Sequence, residues 1–336
     1  MADVRLEGVS KSFGATRAVS DVDLTVSSGE FFVLLGPSGA GKTTTLRLIA
    51  GLEQPESGRV HIGGQDVTAW HPAARDTAFV FQQFSLYPHY TVFDNLAFPL
   101  RSPGRRMPEA EIKKKVQEVA ELLRIDSKLK NKSTRLSGGE MQRVAIGRAL
   151  VREPSVFLMD EPMSSLDAKL REDLRAELKR IQVRLGATII YVTHDQVEAT
   201  TLSDRIGILE GGHLLQVATP QTIYNDPNSL HVAQRLGSPP INVLPMELSS
   251  AAPSGSRFVG IRPEDVSLGD PRGLPATVEI IESLGPQRQV LLRHEAAEVR
   301  AVVPLEQHLE RGALVNVFLP PEKQLFFSAL GERIRL

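Results

Sequence analysis

The stretch Gly36-Pro37-Ser38-Gly39-Ala40-Gly41-Lys42-Thr43 fits the pattern G-x4-G-K-[ST], and its two flanks have opposite characters. Before it, "FFVLL" (Phe31–Leu35) is continuously apolar, as in a strand buried on both faces. After it, "KTTTLRLIAGL" reads as a helix. A buried strand, a glycine turn and a helix in that order are the context the pattern requires, and the strands that alternate with helices further along argue for a parallel α/β sheet. Glycines let successive backbone N–H groups curl around an anion, and the helix start adds partial positive charge. The turn therefore predicts a nucleoside triphosphate cradle running from Gly36 to Thr44. Lys42 would meet the β- and γ-phosphates. The Thr43 hydroxyl would take a magnesium position, because Mg²⁺ prefers hard oxygen ligands.

Other segments extend the sheet. "TAFVF" (Thr77–Phe81), "VFLM" (Val156–Met159) and "TIIYV" (Thr188–Val192) predict further buried strands, and the alternating "SDVDLTV" (Ser20–Val26) a half-exposed one. "IGIL" (Ile206–Leu209) and "LLQV" (Leu214–Val217) flank Gly211-Gly212 as a hairpin. Ile112, Val116, Val119 and Leu123 share one helix face after Pro108. Leu166, Leu170, Leu174, Leu178, Ile181 and Leu185 share another, with Gly186 as the C-cap. Near Gly237 the texture changes. "GSPPINVLP" and "AAPSGS" lead into the short runs "RFVGI", "TVEII", "QVLLR", "VRAVV" and "VNVFL", which predict a small all-β barrel.

Bulk properties exclude several classes. The 336 residues suggest about two domains. A net charge of −1 gives no field for nucleic acid. There are no cysteines for disulfides or thiolate metal sites. The N-terminus lacks an apolar signal core, and no run reaches the roughly 18 apolar residues of a membrane span. Without such a signal, the glycosylation pattern at Asn131-Lys132-Ser133 carries nothing.

Val156–Met159 delivers Asp160 and Glu161 at a strand's C-terminal end, the ligand edge of a parallel sheet. Asp160 would hold Mg²⁺ and Glu161 would polarise the attacking water. Two carboxylates are needed, because one tied to a metal is a poor base. A second glycine notch, "LSGGE" (Leu136–Glu140), with Ser137 95 residues beyond Lys42, leads into the helix "EMQRVAIGRAL". One phosphate cradle does not need two notches. Ser137, with the backbone at Gly138 and Gly139, would instead serve the nucleotide of a second copy, related by a two-fold axis.

The phosphate loop, acidic strand and "LSGGE", in this order, resemble an ATP-binding cassette (ABC) protein. In that family the LSGGQ-like signature contacts the opposite subunit's ATP. Here the fifth residue is Glu140 rather than Gln. A carboxylate beside a triphosphate is unfavourable unless it points away or is paired. The resemblance implies a Q-loop glutamine at Gln82, sensing Mg²⁺ and the attacking water. It implies a switch histidine at His194 in "YVTHD", and a D-loop in "SSLD" (Ser164–Asp167) whose Asp167 faces the partner's ATP. Phe13 would stack on adenine; the alternative is a core phenylalanine. The implied fold is a RecA-like core with an antiparallel β subdomain and a helical subdomain at about 84–152, all within 1–236. A junction at 237–242 and an OB-like (TOBE) domain at 243–336 would follow.

"FSLYPHYTVFDNLAFPL" is unusually apolar for a connection, and Leu86, Tyr87, Pro88 and His89 could line a groove for a membrane protein's helix. "GSPPIN" and "GIRPED" resemble the accessory domain of carbohydrate importers such as the maltose importer. The implied protein is a homodimeric ATPase, using ATP and Mg²⁺, on the cytoplasmic face of a bacterial membrane. It would drive two permease subunits fed by a solute-binding protein, with a sugar, polyol or glycerol phosphate as cargo. Polyamine, ferric ion or an oxyanion stays open as cargo, and a soluble cassette acting on nucleic acid or ribosomes is the reading from another class.

Overall fold

The computed structural model describes residues 1–102, 107–249 and 251–335. The chain opens with β1 (Val4–Phe13), β2 (Thr16–Val26), β3 (Phe31–Leu35) and α1 (Lys42–Ala50). Then come β4 (Ser57–Ile62), β5 (Gln65–Asp66), β6 (Thr77–Val80), α2 (Val92–Ala97), α3 (Glu109–Leu122) and α4 (Gly138–Leu150). They are followed by β7 (Val156–Asp160), α5 (Ala168–Leu185), β8 (Ile189–Thr193), α6 (Gln196–Leu202), β9 (Arg205–Glu210) and β10 (His213–Ala218).

Six strands form one sheet in the order β10-β9-β3-β8-β7-β6. β9, β3, β8, β7 and β6 run parallel, and the β9–β10 hairpin closes one edge. β3, β7 and β8 are buried at every position, which is why their sequences are continuously apolar. A second, antiparallel sheet has the order β2-β1-β4-β5. Val4, Leu6, Val9, Val19 and Val22 from it share one apolar cluster with Leu46, Leu48 and Ile49 of α1 and Phe32 and Leu34 of β3. The body of α1 is thereby packed against both sheets.

Several boundaries differ from expectation, each for a local reason. Phe81 lies beyond β6 and is 38% exposed, because the chain leaves the sheet after Val80. Leu166 is buried but precedes α5: the Asp167 carboxylate accepts the Leu170 N–H at 3.0 Å and starts the helix at Ala168. Leu185, at the helix end, is exposed. The helix after Ser137 begins at Gly138 rather than Glu140, so both glycines belong to its first turn. Gly186 does cap α5, with φ 59°.

Arg75 carried no signal in the sequence. It is 2% exposed and donates to four carbonyls, those of Leu48, Ile49, Thr68 and Trp70. Its charge sits at the C-terminal end of α1, where the helix dipole favours a cation.

Contacts divide the chain into Met1–Pro220 and Gln221–Leu336. The second unit begins with α7 (Pro220–Asn225) and α8 (Leu230–Ala233) and continues through β11 (Asn242–Pro245), β12 (Phe258–Ile261) and β13 (Ser267–Leu268). β14 (Leu274–Ser283), β15 (Gln287–His294), β16 (Ala297–Pro304), β17 (Leu314–Phe318), β18 (Leu325–Phe327) and β19 (Arg333–Ile334) complete it. All five runs expected as strands fall on strands, with Arg257 just before β12 and Leu319 just after β17. They form two antiparallel sheets, β11-β12-β18-β19 and β13-β17-β14-β15-β16, around a shared core that includes Val259, Val278, Leu292 and Val317. Residues 221–236, ahead of the junction at 237–242, go with this unit. Arg262 of "GIRPED" holds them. It is 4% exposed and donates to the carbonyls of Tyr224, Ala233 and Leu236 at 2.6–3.0 Å.

Candidate nucleotide-binding site

The C-terminal ends of β3, β6, β7 and β8 share one edge of the parallel sheet, and each delivers a predicted residue there. β3 leads into the glycine turn, β6 is followed by Gln82, β7 ends in Asp160 and leads to Glu161, and β8 leads to His194.

The glycines of the turn are required by close backbone approach. A Cβ at Gly36 would sit 2.1 Å from the Leu209 carbonyl, and one at Gly41 2.1 Å from the Ala18 carbonyl. Gly41 also has φ 103° and forms the N-cap of α1 without any side-chain cap. The first N–H groups of that helix are therefore free of a side-chain acceptor, the condition for binding an anion. Ser38, Gly39, Ala40, Gly41, Lys42, Thr43 and Thr44 line a cavity of about 370 Å³ with Thr16, Ala18, Gln82 and Glu161.

Lys42 is 5% exposed. Its ammonium donates to the Gly36 and Pro37 carbonyls at 2.9 and 3.0 Å and lies 3.5 Å from Glu161 Oε1. Thr43 Oγ1 donates to Asp160 Oδ1 at 2.8 Å. Burial pushes the Asp160 carboxyl up, against the Thr43 hydrogen bond, which lowers it. Glu161 has φ 43°, a left-handed conformation that costs a non-glycine residue about 1 kcal/mol or more. Its N–H donates to the Val192 carbonyl at 3.1 Å, so β8 fixes its position. Its Oε2 meets His194 Nδ1 at 3.1 Å. Lys42, Glu161 and His194 thus form one polar row.

Phe13 ends β1 with its ring 47% exposed and is absent from the cavity lining. The alternative of a core phenylalanine does not hold. Ser137, Gly138, Gly139 and Asp167 do not line the cavity either. Ser137 caps α4, and a Cβ at Gly139 would lie 2.1 Å from Leu170 Cδ2, so α4 and α5 approach closely there. Asp167 caps α5, a structural duty its motif did not announce.

Glu140 is paired, in two ways. Its Oε2 accepts the Ser137 N–H at 2.9 Å while Ser137 Oγ accepts the Glu140 N–H at 3.3 Å, a reciprocal capping box. Its Oε1 lies 3.1 Å from Lys128 Nζ. The Ser137 N–H, and then Lys128, hold the carboxyl below the ordinary glutamate range.

Beside the nucleotide cavity lies a groove of about 430 Å³ that includes Gln82, Phe84, Leu86, Pro88, Met141 and Ser165. Tyr87 stacks tilted against Tyr90 and Phe98, at 5.2 and 4.6 Å between centroids, and all three rings are partly exposed. Asn95, wholly buried, holds the Tyr87 backbone from both sides.

Residues 19–164 match the ABC transporter family, and residues 259–327 match the TOBE domain. The sn-glycerol-3-phosphate import ATP-binding protein UgpC 3 of Rhizobium johnstonii is 45% identical over 332 residues, covering 95% of each chain. The trehalose/maltose import ATP-binding protein MalK of Thermococcus litoralis is 44% identical, over 99% of this chain and 100% of its own. A solved dimeric ATP-binding cassette, in a post-hydrolysis state with ADP and Pi, superposes with a TM-score of 0.59 at 33% identity, over 65% of this chain and 98% of its own. The chain belongs to the ABC transporter family, as a transport ATPase whose second unit carries a TOBE domain.

Proposed function

We propose that this ATPase energises import of a sugar or a glycerol phosphate. The observation that carries the reading is the likeness along both units to ATP-binding proteins named for import of sn-glycerol 3-phosphate and of trehalose and maltose. The working form is a homodimer at the cytoplasmic face of the membrane, resting on two permease subunits served by a solute-binding protein. Among the described residues no helix is long and apolar enough to cross a membrane. The groove at Phe84, Leu86 and Pro88, with the exposed Tyr87 and His89 beside it, supports a permease contact there.

In this reading the glycine turn wraps the triphosphate, Lys42 neutralises its β- and γ-oxygens, and Phe13 stacks on adenine. Thr43 and Asp160 are adjacent hard oxygen donors, and Gln82 lines the same cavity, so these residues fit Mg²⁺. When bound, the ion would offset charge building on the phosphate oxygens. Glu161 accepts the proton of the attacking water. His194 turns from Glu161 toward the γ-phosphate. Ser137, Gly138, Gly139 and Asp167 complete the site of the opposite subunit, so ATP closes the pair and hydrolysis reopens it.

Glu161→Gln tests the assignment. Hydrolysis should fall by at least about 100-fold while ATP still holds two chains together on a sizing column. Normal hydrolysis by that variant would remove Glu161 as the base. Vesicle uptake with the cognate permeases and a panel of sugars, glycerol phosphate, polyamine and ferric ion assigns the cargo, and uptake of polyamine or iron alone would overturn it.

A further inference from the structure

Arg171 has no part in the steps above, yet its guanidinium reaches three segments. Nη2 donates to the Leu166 carbonyl at 3.0 Å, and Nη1 to Asp195 Oδ2 at 3.4 Å. Nε lies 3.8 Å from Glu198 Oε1 and makes no hydrogen bond, so it contributes charge alone. Leu166 belongs to the loop Ser164–Asp167, which ends in the partner-facing Asp167. Asp195 directly follows His194. Glu198 is on α6 and is 3% exposed.

Glu198 anchors the assembly. Its Oε2 accepts from the Tyr191 hydroxyl at 2.8 Å and from Thr193 Oγ1 at 2.7 Å, both on β8, the strand that delivers His194. Thr193 Oγ1 in turn accepts the Asp195 N–H at 3.0 Å. Asp195 Oδ1 accepts the Val197 and Glu198 N–H groups at 2.7 and 3.2 Å and caps α6. The segment around His194 is thus tied on both sides to a buried carboxylate, and one arginine joins it to the other loop.

We propose that Arg171 is a positioning residue that locks the Ser164–Asp167 loop to the His194 segment, so that the contact to the second subunit and the histidine on Glu161 shift together. The planar guanidinium suits this duty because its donors diverge at fixed angles; a lysine reaches one of the three sites at a time. The proposal rests on the dimeric reading and on the role given to His194, and supplies a path by which closure of one site reaches the chemistry.

The test is a double-mutant cycle on ATP hydrolysis by the full chain. Arg171→Gln should lower kcat by about 10- to 100-fold, the scale set by small misplacement of catalytic groups. KM and equilibrium ATP binding should stay near wild type, because Arg171 does not line the cavity. Arg171→Lys should restore part of kcat. In a His194→Ala background, assayed over long single turnovers, Arg171→Gln should lower the rate by less than about two-fold, since two changes along one path are not additive. An equal fall in both backgrounds overturns the proposal, as does wild-type kcat in Arg171→Gln or in His194→Ala. Should Arg171→Gln not fold, the same cycle with Arg171→Lys decides it. Glu161→Gln read in parallel separates the two layers: failure of its ATP-held pair would sink the dimeric reading, while additivity in the cycle would sink only the link through Arg171.

Discussion

The two helix N-termini that face phosphate in this account are built in opposite ways. α1 starts at Gly41, in a left-handed conformation with no side-chain cap, inside a cavity walled by its own chain. α4 follows its N-cap Ser137, which forms a reciprocal capping box with Glu140, and Ser137, Gly138 and Gly139 do not line that cavity. An uncapped N-terminus leaves N–H groups for a ligand. A capped one is rigid before any ligand arrives, and still offers the serine hydroxyl hydrogen, because Ser137 Oγ only accepts within the box. The first end suits holding a nucleotide; the second suits meeting one that another copy already holds.

Substitutions at the two ends should therefore fail differently. Lys42→Ala has the largest expected effect. It should weaken ATP binding by the separate chain and lower hydrolysis by about 1,000-fold, as for loss of a donor on developing charge. Tight ATP binding by that variant would erase the contrast. Ser137→Arg comes next. Hydrolysis should fall by about 100-fold with ATP affinity of the separate chain unchanged, measured by titration calorimetry; a matching loss of affinity would mean that both ends serve one chain's nucleotide.

The smallest effect is at Glu140. Glu140→Gln keeps the capping box and loses the Lys128 pair, so chemical denaturation at neutral pH should differ from wild type by about 0.5 kcal/mol or less. The Ser137 N–H and Lys128 hold the folded-state pKa below the ordinary 4.5. The unfolded chain therefore binds the extra proton first, and the stabilisation is present above 4.5 and lost as pH falls through the depressed value. The gap between wild type and Glu140→Gln should close or reverse in acid. A gap that is constant with pH would mean that the carboxylate is not held as described.

The nucleotide edge was legible because its signals are local. A continuous apolar strand, a glycine turn and a helix start lie adjacent in sequence, and the same strand-end logic located Asp160 and Glu161, while His194 came from the family resemblance. Helix starts were less legible. The face Leu166–Leu185 continued the 3.6 period backwards past Asp167, where the cap in fact ends it. Gly138 and Gly139 read as a notch although Ser137 starts a helix there. Arg75, Arg171 and Glu198 gave no signal, because the carbonyls, carboxylates and hydroxyls they meet are brought near by the fold alone. In the second unit β12, β14, β15, β16 and β17 showed as short apolar runs, while β11 sits inside the proline-rich "GSPPINVLP" and β13, β18 and β19 have only two or three residues each.

The claim beneath all of this is that one chain's cavity is incomplete until a second chain's Ser137 end closes on it. Specific ATPase activity as a function of protein concentration, with mass followed by light scattering in the same samples, tests it most directly. The account predicts that activity per chain falls toward zero as dilution leaves only monomers, and that Ser137→Arg stays near that floor at every concentration. Constant activity per chain in verified monomers, unaffected by Ser137→Arg, would contradict it.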